Sequence, residues 1–275
     1  MHDGPCDVDI GVIYTHEREF MTPLLSSLVR SGDAVGMRLA LVDNASADGV
    51  AEWSGVFPRT VVLRNERRLT YAENLNRILG ASDSRYVLFL NTDMTFDPAE
   101  QAVSKLVRFM DAHPECGVSG CRLYHRDGTY AFPARRFQTL PTIAARRLGL
   151  ERWMGETVRS YLYQDQPLPG VFECDWLSGC LLMARTDAAR RIGGFDSGFR
   201  KYFEDVDFCL RMARRGWSVM FNGETYAWHW EQRASRKLLS HDAWTHLKSY
   251  ARWIGKWGFD PASAARGLPP LRRAG

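Results

Sequence analysis

Three carboxylates fall within four positions of one apolar stretch, residues 201–211. Glu204, Asp205 and Asp207 stand among aromatic and aliphatic residues, and a basic run follows them. If a helix begins near Glu204, its first turn holds all three acids, where the helix dipole and the free N–H groups stabilise anions. A half-buried carboxylate beside other acids also has an altered pKa, which suits a general base. The pattern alone leaves a helix-stabilising role and a catalytic role equally open.

Length and composition predict a globular protein. The chain has 275 residues, of which 45% are hydrophobic and 12% aromatic, enough for one large domain or two small ones. The formal net charge of +4 is modest for this length. We therefore expect no nucleic-acid partner, whereas acidic small molecules such as nucleotides remain plausible ligands.

Cysteine usage and the lack of long apolar runs bear on the compartment. The six cysteines form no CxxC pair, which indicates buried thiols in a reducing cytosol and disfavours a structural zinc site. The first residues do not have the pattern of a signal peptide, and no apolar run approaches the roughly 18 residues of a membrane span. We expect a cytoplasmic protein.

The first 112 residues alternate between strand and helix patterns. Apolar runs predict strands at 9–14, 37–42, 61–64 and 86–90, and helical spacing predicts a helix at 17–30. Four strands alternating with helices predict an α/β fold with a mostly parallel central sheet flanked by helices.

Two further helix starts are marked by capping patterns. Thr70 and Glu73 have capping-box spacing and predict a helix through residue 79. Asp97-Pro98 has the pattern of a cap followed by proline and predicts a helix to about residue 112. Asn74 and Asn76 inside the first of these helices are explained by surface placement.

Polar residues follow two of the predicted strands directly. Asp43 and Asn44 end the second strand, and Asn91-Thr92-Asp93 ends the fourth. Open α/β sheets bind ligands at the carboxyl ends of their strands, and carboxylate and amide oxygens suit a hard divalent cation. Each group read alone is more often an ordinary turn.

The second half of the chain is less regular. An arginine-rich segment at 122–159 fits a mobile loop, a basic lining for an acidic substrate, or a solvated face, which is the default. A lone histidine in an aromatic strand, as at His229, is more often a core residue than a ligand. A final helix at 241–257 is predicted to pack Trp244, Leu247, Ala251 and Ile254 against the domain, with membrane-surface binding as the alternative.

Seven motifs, loose individually, occur in one order between residues 9 and 235. In that order they resemble the family 2 glycosyltransferases with a GT-A fold, and most of all bacterial rhamnosyltransferase-like members. The motifs are 12–18 (Val-Ile-Tyr-Thr-His-Glu-Arg), 43–46 (Asp-Asn-Ala-Ser), 91–93 (Asn-Thr-Asp), 175–179 (Asp-Trp-Leu-Ser-Gly), 193–196 (Gly-Gly-Phe-Asp), 202–207 (Tyr-Phe-Glu-Asp-Val-Asp) and His229.

The resemblance implies a role for each matching residue. It implies an inverting transfer with Asp205 as the general base and Glu204 beside it. A divalent ion, Mg²⁺ or Mn²⁺, would sit on Asp93 and His229. The nucleotide-sugar would contact Thr15, Glu17, Asp43, Asn74, Asn76, Asn91, Thr92 and Asp93, and the acceptor or donor sugar would border Trp176 and Gly179.

It also implies a division of the chain. Residues 1–240 would form the transferase domain, with a nucleotide-binding part at 9–112 and an acceptor-binding and catalytic part at 113–240. Residues 241–275 would form an amphipathic helix and tail.

Expected partners are a dTDP-, UDP- or GDP-linked sugar donor and a glycan, lipid-linked or small-molecule acceptor. Peripheral membrane contact through residues 241–257 and a homodimer stay open. Two other functions fit a strand-tip acid on an α/β sheet: a metal-dependent nucleotidyltransferase and a non-catalytic nucleotide-sugar-binding module.

Overall fold

The computed structural model describes residues 6–31, 35–57, 59–139, 142, 154–230, 241–259 and 261. Its helices are α1 Arg18–Arg30, α2 Tyr71–Ala81, α3 Ala102–Ala112, α4 Gly155–Tyr161, α5 Thr186–Arg191, α6 Glu204–Arg214 and α7 His241–Trp257, with one 3₁₀ turn at Ala51–Trp53. Its strands are β1 Val8–Tyr14, β2 Met37–Asp43, β3 Thr60–Arg64, β4 Tyr86–Leu90, β5 Met94–Thr95, β6 Cys116–His125, β7 Ala134–Arg135, β8 Val171–Glu173, β9 Trp176–Leu177, β10 Leu181–Arg185 and β11 Ser218–His229.

One sheet runs through the molecule in the order β3-β2-β1-β4-β10-β6-β11-β5, and β8 adds to β11. The first four strands are parallel, as the alternating pattern predicts, and β6 and β11 are parallel to each other. Strand β10 runs antiparallel between β4 and β6 and so joins the two parallel groups. The fold is therefore α/β, with β4 at the centre of the sheet.

Each face of the sheet is covered by its own apolar layer. Successive residues of β2 alternate between the two layers, because side chains along a strand point to opposite faces. One layer contains α1 and α3, and the other contains α2, α5, α6 and part of α7. The polar residues at the strand ends, Asp43, Asn44 and Thr92, are buried as well.

The predicted helix starts have different outcomes. The capping box of α2 is present, with the Glu73 backbone N–H donating to Thr70 Oγ1 and the Glu73 carboxylate accepting from the Thr70 N–H. The predicted start at Asp97 is wrong. The Asp97 side chain accepts from the Ala99 N–H at 2.9 Å and closes a local turn, so the helix begins only at Ala102.

Helix α7 packs on the domain, but its predicted contact face is largely wrong. Trp253, at 1% exposure, and Ser249 are the buried residues among those of the helix whose side chains are described. Trp244 and Leu247 point outward, with 60% and 49% of their surface exposed, and Ala251 is exposed as well. Trp253, which directly precedes Ile254 of the predicted face, offers a larger apolar group to the core. Its burial turns Trp244, Leu247 and Ala251 to solvent. Within the described residues, no helix is long and apolar enough to cross a membrane.

Candidate active site

The nucleotide-binding candidates lie at the carboxyl ends of β1 and β2. Tyr14 and Asp43 are level in the parallel register, so the residues after them share one edge of the sheet. Glu17 accepts from the backbone N–H groups of Thr15 and His16, each at 3.0 Å, and Asp43 accepts from Ser46 N–H at 2.9 Å. These carboxylates brace the loops on which a nucleotide would lie.

Asp93 and His229 come together at the same edge. Strand β5, which follows Asp93, pairs with the end of β11, and the Trp230 N–H donates to the Asp93 carbonyl at 2.8 Å. This pairing brings His229 Nε2 within 3.4 Å of Asp93 Oδ1. Burial favours a neutral imidazole, but Cys180 and Asp93 outweigh it and raise the pKa of His229 to about 11. His229 is thus not simply a core residue.

These two residues are a fair match for a divalent cation. Asp93 Oδ1 is buried without a hydrogen-bond donor, because the imidazole lies too far away to supply a good one. Among the described residues, no group of three or more His, Cys, Asp or Glu could hold a metal by itself. Magnesium-type sites usually combine one or two protein ligands with substrate phosphates and water, so an incomplete protein shell fits a metal that arrives with a diphosphate.

The acid cluster is presented by a strained turn. Helix α6 begins at Glu204, as expected, and the two residues before it, Tyr202 and Phe203, have φ values of +69° and +71°. Left-handed backbone at a non-glycine residue costs roughly 1–3 kcal/mol and tends to occur at functional sites. The turn directs Glu204 and Asp205 into the domain instead of leaving them at a solvated helix end.

Asp205 is held by donors, and Glu204 is not. Asp205 accepts from Gly179 N–H at 3.0 Å and from Val206 N–H at 2.8 Å. Burial raises the pKa of Asp205, and these N–H groups together with Arg135 oppose that rise. Glu204 Oε2 is buried without a partner, and burial together with the charge of Asp205 raises the pKa of Glu204 to about 8. Because two N–H groups stabilise the Asp205 carboxylate and Glu204 Oε2 has no partner, the proton that this pair shares is favoured on Glu204.

Asp207, the third acid, has a structural role. Its side chain is fully buried and accepts from Arg211 Nε at 2.6 Å and from Trp257 Nε1 at 2.8 Å, and Lys256 Nζ lies 2.7 Å away. It ties α6 to α7. Of the two roles that the sequence leaves open for the acids, Asp207 therefore has the structural one.

Tyr71 joins the two halves of the site and is not apparent from the sequence. Its hydroxyl lies 2.9 Å from Asn91 Oδ1 and 3.3 Å from the Gly179 carbonyl. Burial first, and then the charges of Glu204, Cys180, Asp205 and Asp93, raise the pKa of Tyr71. The acids of both halves of the site, Glu204 and Asp205 on one side and Asp93 on the other, therefore act on one phenol. A tyrosine at the first turn of a helix gives no local signal of contacts that lie 20 and 108 positions away.

Cys180 is a second unpredicted member of the site. Its carbonyl accepts from the Asn91 N–H at 2.9 Å, and the strand that it precedes, β10, lies beside β4. The position of Asn91 is consequently fixed by Cys180 and Tyr71. Thr92 beside it is buried.

Two asparagines of α2 serve the protein itself. The surface placement predicted for them is wrong for Asn74, which is fully buried and accepts from Asn65 Nδ2 at 2.7 Å. Asn76 accepts from the Phe195 N–H at 2.7 Å and donates to the Phe195 carbonyl at 2.8 Å. Both amides are bonded to partners within the protein. Asn74 and Asn76 would therefore influence a nucleotide-sugar only by positioning the segments around Asn65 and Phe195.

Trp176 and two nearby arginines form cation–π contacts. The indole of Trp176 is 4% exposed, and the Arg135 guanidinium lies over its ring at 5.0 Å; the place of Trp176 beside a sugar stays a prediction. Arg136 lies 4.1 Å from the Tyr163 ring centroid. Arg135 and Arg136 thus lie against aromatic rings and are only partly exposed, whereas residues 140, 141 and 143–153 of that segment lie outside the described residues.

The sequence matches the profile of glycosyl transferase family 2 over residues 9–176. The chain belongs to this family. A similar curated protein is the N-acetylglucosaminyl-diphospho-decaprenol L-rhamnosyltransferase of Mycobacterium tuberculosis, 26% identical over 249 residues that cover 84% of this chain and 80% of that one. Rhamnosyltransferase WbbL of Escherichia coli is 24% identical over 64% of this chain and 63% of its own length. The protein is a glycosyltransferase of rhamnosyltransferase-like type.

Solved structures confirm the GT-A fold of this family 2 glycosyltransferase. The mannosyltransferase PcManGT from Pyrobaculum calidifontis, in complex with GDP-Man and Mn²⁺, superposes with a TM-score of 0.59 at 16% identity, over 96% of this chain and 74% of that one. GalNAc-T7 with UDP, GalNAc and Mn²⁺ gives 0.62 at 13% identity, over 97% of this chain and 52% of the other.

Proposed function

We propose that this glycosyltransferase transfers an L-rhamnosyl residue from a nucleotide-diphosphate donor to a lipid-linked acceptor sugar, with inversion at the anomeric carbon. The proposal is carried by one arrangement. Asp205 accepts from Gly179 N–H, and the Tyr71 hydroxyl connects the Gly179 carbonyl with Asn91, on the edge that bears Asp93 and His229. The relatives that act as rhamnosyltransferases, one of them on a decaprenol-linked acceptor, support the choice of substrates.

Asp205 would act as the general base. In one displacement its carboxylate takes the proton of the acceptor hydroxyl, the hydroxyl oxygen bonds to the anomeric carbon, and the bond from that carbon to the diphosphate oxygen breaks. General-base help of this kind contributes roughly 10²- to 10⁴-fold. Gly179 suits the position beside it, since a Cβ there would come within 3.3 Å of Asp205 Cβ and crowd the carboxylate.

Asp93 and His229 would hold a divalent cation, Mg²⁺ or Mn²⁺. Such an ion, when bound, stabilises the negative charge on the departing diphosphate. A metal binds only the unprotonated Nε2 of His229, so the raised pKa of this imidazole means that a cation would compete with a proton there. The structures of relatives with bound Mn²⁺ support a cation here without deciding which one.

The nucleotide would lie along the ends of β1, β2 and β4. Thr15, Glu17 and Asp43 would contact base and ribose, with the Asn91-Thr92 turn beneath the diphosphate. The division of the chain at residue 240 stays a prediction, and α7 contacts the catalytic part directly through Asp207.

Helix α7 would also lie on an anionic membrane. Trp244 and Leu247 are exposed by 60% and 49%, and the exposed Lys248 is adjacent to Leu247 in the helix. Phe259, two residues beyond the helix, is 64% exposed. A face that joins large apolar side chains to a cation suits the boundary between lipid headgroups and acyl chains. This contact would bring the enzyme to an acceptor that is anchored in lipid.

The test is transfer by purified protein with dTDP-L-rhamnose, UDP-N-acetylglucosamine and GDP-mannose as donors and an N-acetylglucosaminyl-diphospho-lipid as acceptor. We expect transfer from dTDP-L-rhamnose that needs Mg²⁺ or Mn²⁺. Asp205→Asn should lower kcat by about 10²- to 10⁴-fold and leave binding of the nucleoside diphosphate intact. Loss of both transfer and nucleotide binding would make Asp205 structural and refute its role as base.

A further inference from the structure

A cavity outside the metal edge is lined by aromatic rings. It has a volume of about 310 Å³. Its rings come from three separate segments, residues 124–132, residues 162–168 and strand β8. The aromatic members are Tyr124, Tyr130, Phe132, Tyr163 and Phe172.

The rings support one another as two walls. On one side the Tyr130 and Phe132 centroids lie 4.6 Å apart, and Tyr124 stands 5.8 Å from Tyr130. On the other side Tyr163 and Phe172 lie 5.2 Å apart. Rings that are packed in this way keep their orientation, so the cavity is formed before any ligand arrives.

Polar groups of the cavity are neutral. Gln164 and Gln166 contribute amides, and burial raises the pKa of Tyr130, so its phenol stays protonated. Among the described residues, those that line the cavity carry no charged side chain. The lining therefore disfavours a diphosphate or a nucleotide and favours a neutral ligand that has both apolar faces and hydrogen-bonding groups.

Backbone contacts connect the cavity wall with the residues that hold the proposed base. Ser178 N–H donates to the Pro133 carbonyl at 2.9 Å, and the next residue, Gly179, donates to Asp205. Arg135 Nε donates to the Phe132 carbonyl at 3.0 Å, and the positive charge of this arginine acts on Asp205. The wall that contains Phe132 is thus connected, through Pro133 and Ser178, to Gly179, which donates to the proposed catalytic carboxylate.

We propose that this aromatic cavity binds the neutral pyranose ring of the acceptor, next to the hydroxyl that Asp205 deprotonates. The assignment rests on the proposed transfer reaction and adds the subsite and its ligand chemistry. A pyranose has C–H faces that stack on aromatic rings and hydroxyls that can pair with glutamine amides and phenols. An aliphatic lipid tail would leave those amides and phenols without partners, which is costly when they are desolvated.

Volume supports a single ring. Small-molecule sites span roughly 300–1,000 Å³, so a cavity of about 310 Å³ lies at the small end. It has room for one sugar but not for an extended glycan. The rest of a bound acceptor would extend out of the cavity past Leu168, a lining residue that is 46% exposed.

Ligand-observed saturation-transfer NMR tests the cavity without any need for turnover. The probes are N-acetylglucosamine and, separately, the short isoprenoid alcohol geraniol. We expect saturation of the sugar ring protons in the wild type and binding that is about tenfold weaker in Phe132→Leu, which keeps an apolar side chain but removes the aromatic face. Val29→Ala changes an exposed apolar residue on α1 and should bind the sugar as the wild type does.

Gln166→Ala provides a second variant in case Phe132→Leu does not fold, and it should weaken sugar binding by severalfold. Three results would each overturn the proposal. They are an absence of sugar saturation in the wild type, saturation in both variants that equals that of the wild type, and displacement of the sugar by geraniol. Transfer assays keep the two proposals apart. If the wild type turns over no nucleotide-sugar but binds N-acetylglucosamine in a Phe132-dependent way, the transferase assignment fails and the cavity assignment stands.

Discussion

The proton on Glu204 should make the stability of the protein fall as pH rises. Burial and the charge of Asp205 raise the pKa of Glu204 from 4.5 to about 8 in the folded protein. Between these two values the folded state binds a proton that the unfolded state has lost. Stability therefore decreases with increasing pH across this window, and the full contribution is present only below pH 4.5.

Replacing Glu204 by Gln removes this dependence. Each pH unit above 4.5 costs about 1.4 kcal/mol, so the wild type loses at most roughly 3 kcal/mol from this group by pH 7. Gln has no charge in either state and avoids the loss. We expect Glu204→Gln to match the wild type near pH 4.5 and to exceed it by up to about 3 kcal/mol at pH 7, or roughly 6–12 °C in Tm.

The assay is denaturant unfolding at intervals from pH 4.5 to 8.5, with Glu19→Gln, which changes an exposed acid on α1, as the control. The control should follow the wild type throughout. Asp205 retains its partners in Glu204→Gln, so transfer activity should persist. A variant that is equally or less stable than the wild type at pH 8 would refute the protonated state of Glu204, and with it the argument that Asp205 is the ionised base.

Three further changes probe separate parts of the site. Asp93→Ala should abolish the Mn²⁺-dependent part of nucleoside diphosphate binding, as measured by calorimetry with and without Mn²⁺; unchanged binding with the metal would exclude Asp93 as a ligand. Tyr71→Phe leaves Asn91 Oδ1 without its donor, so unfolding should become easier by about 1–3 kcal/mol and kcat should fall; a neutral effect on both would remove Tyr71 from the site. Trp244→Ser with Leu247→Ser should weaken binding to phosphatidylglycerol vesicles at least about tenfold in cosedimentation, whereas equal binding would refute the membrane face.

The N-terminal half of the fold could be predicted because each of its signals is local. Strand β4 is an uninterrupted apolar run, and its central position follows from burial on both faces. The capping box at Thr70 needs only residues three apart. The prediction of a helix start at Asp97 was wrong because an aspartate followed by proline can either cap a helix or close a turn. The same local sequence is compatible with both.

The site could be predicted only as a set of separate strand ends and one acid cluster. The contact between Asp93 and His229 depends on the pairing of β5 with β11. In that pairing Met94 lies opposite His229, 135 positions away in the sequence. The division of labour among the three acids depends on what surrounds each one. Only structure distinguishes a carboxylate that accepts from Gly179 N–H from one that is bonded to Arg211.

Helix α7 links the C-terminal region to the chemistry of the site. The turn that presents the acids is strained at Tyr202 and Phe203, and such a turn persists only when surrounding contacts stabilise it. Those contacts come from α7, where Trp253 lies with its ring 5.8 Å from that of Phe203 and Trp257 donates to Asp207. The outward side of the same helix bears the exposed Trp244. If the proposed membrane face binds a lipid surface, α7 therefore connects that surface to the turn that presents Glu204 and Asp205.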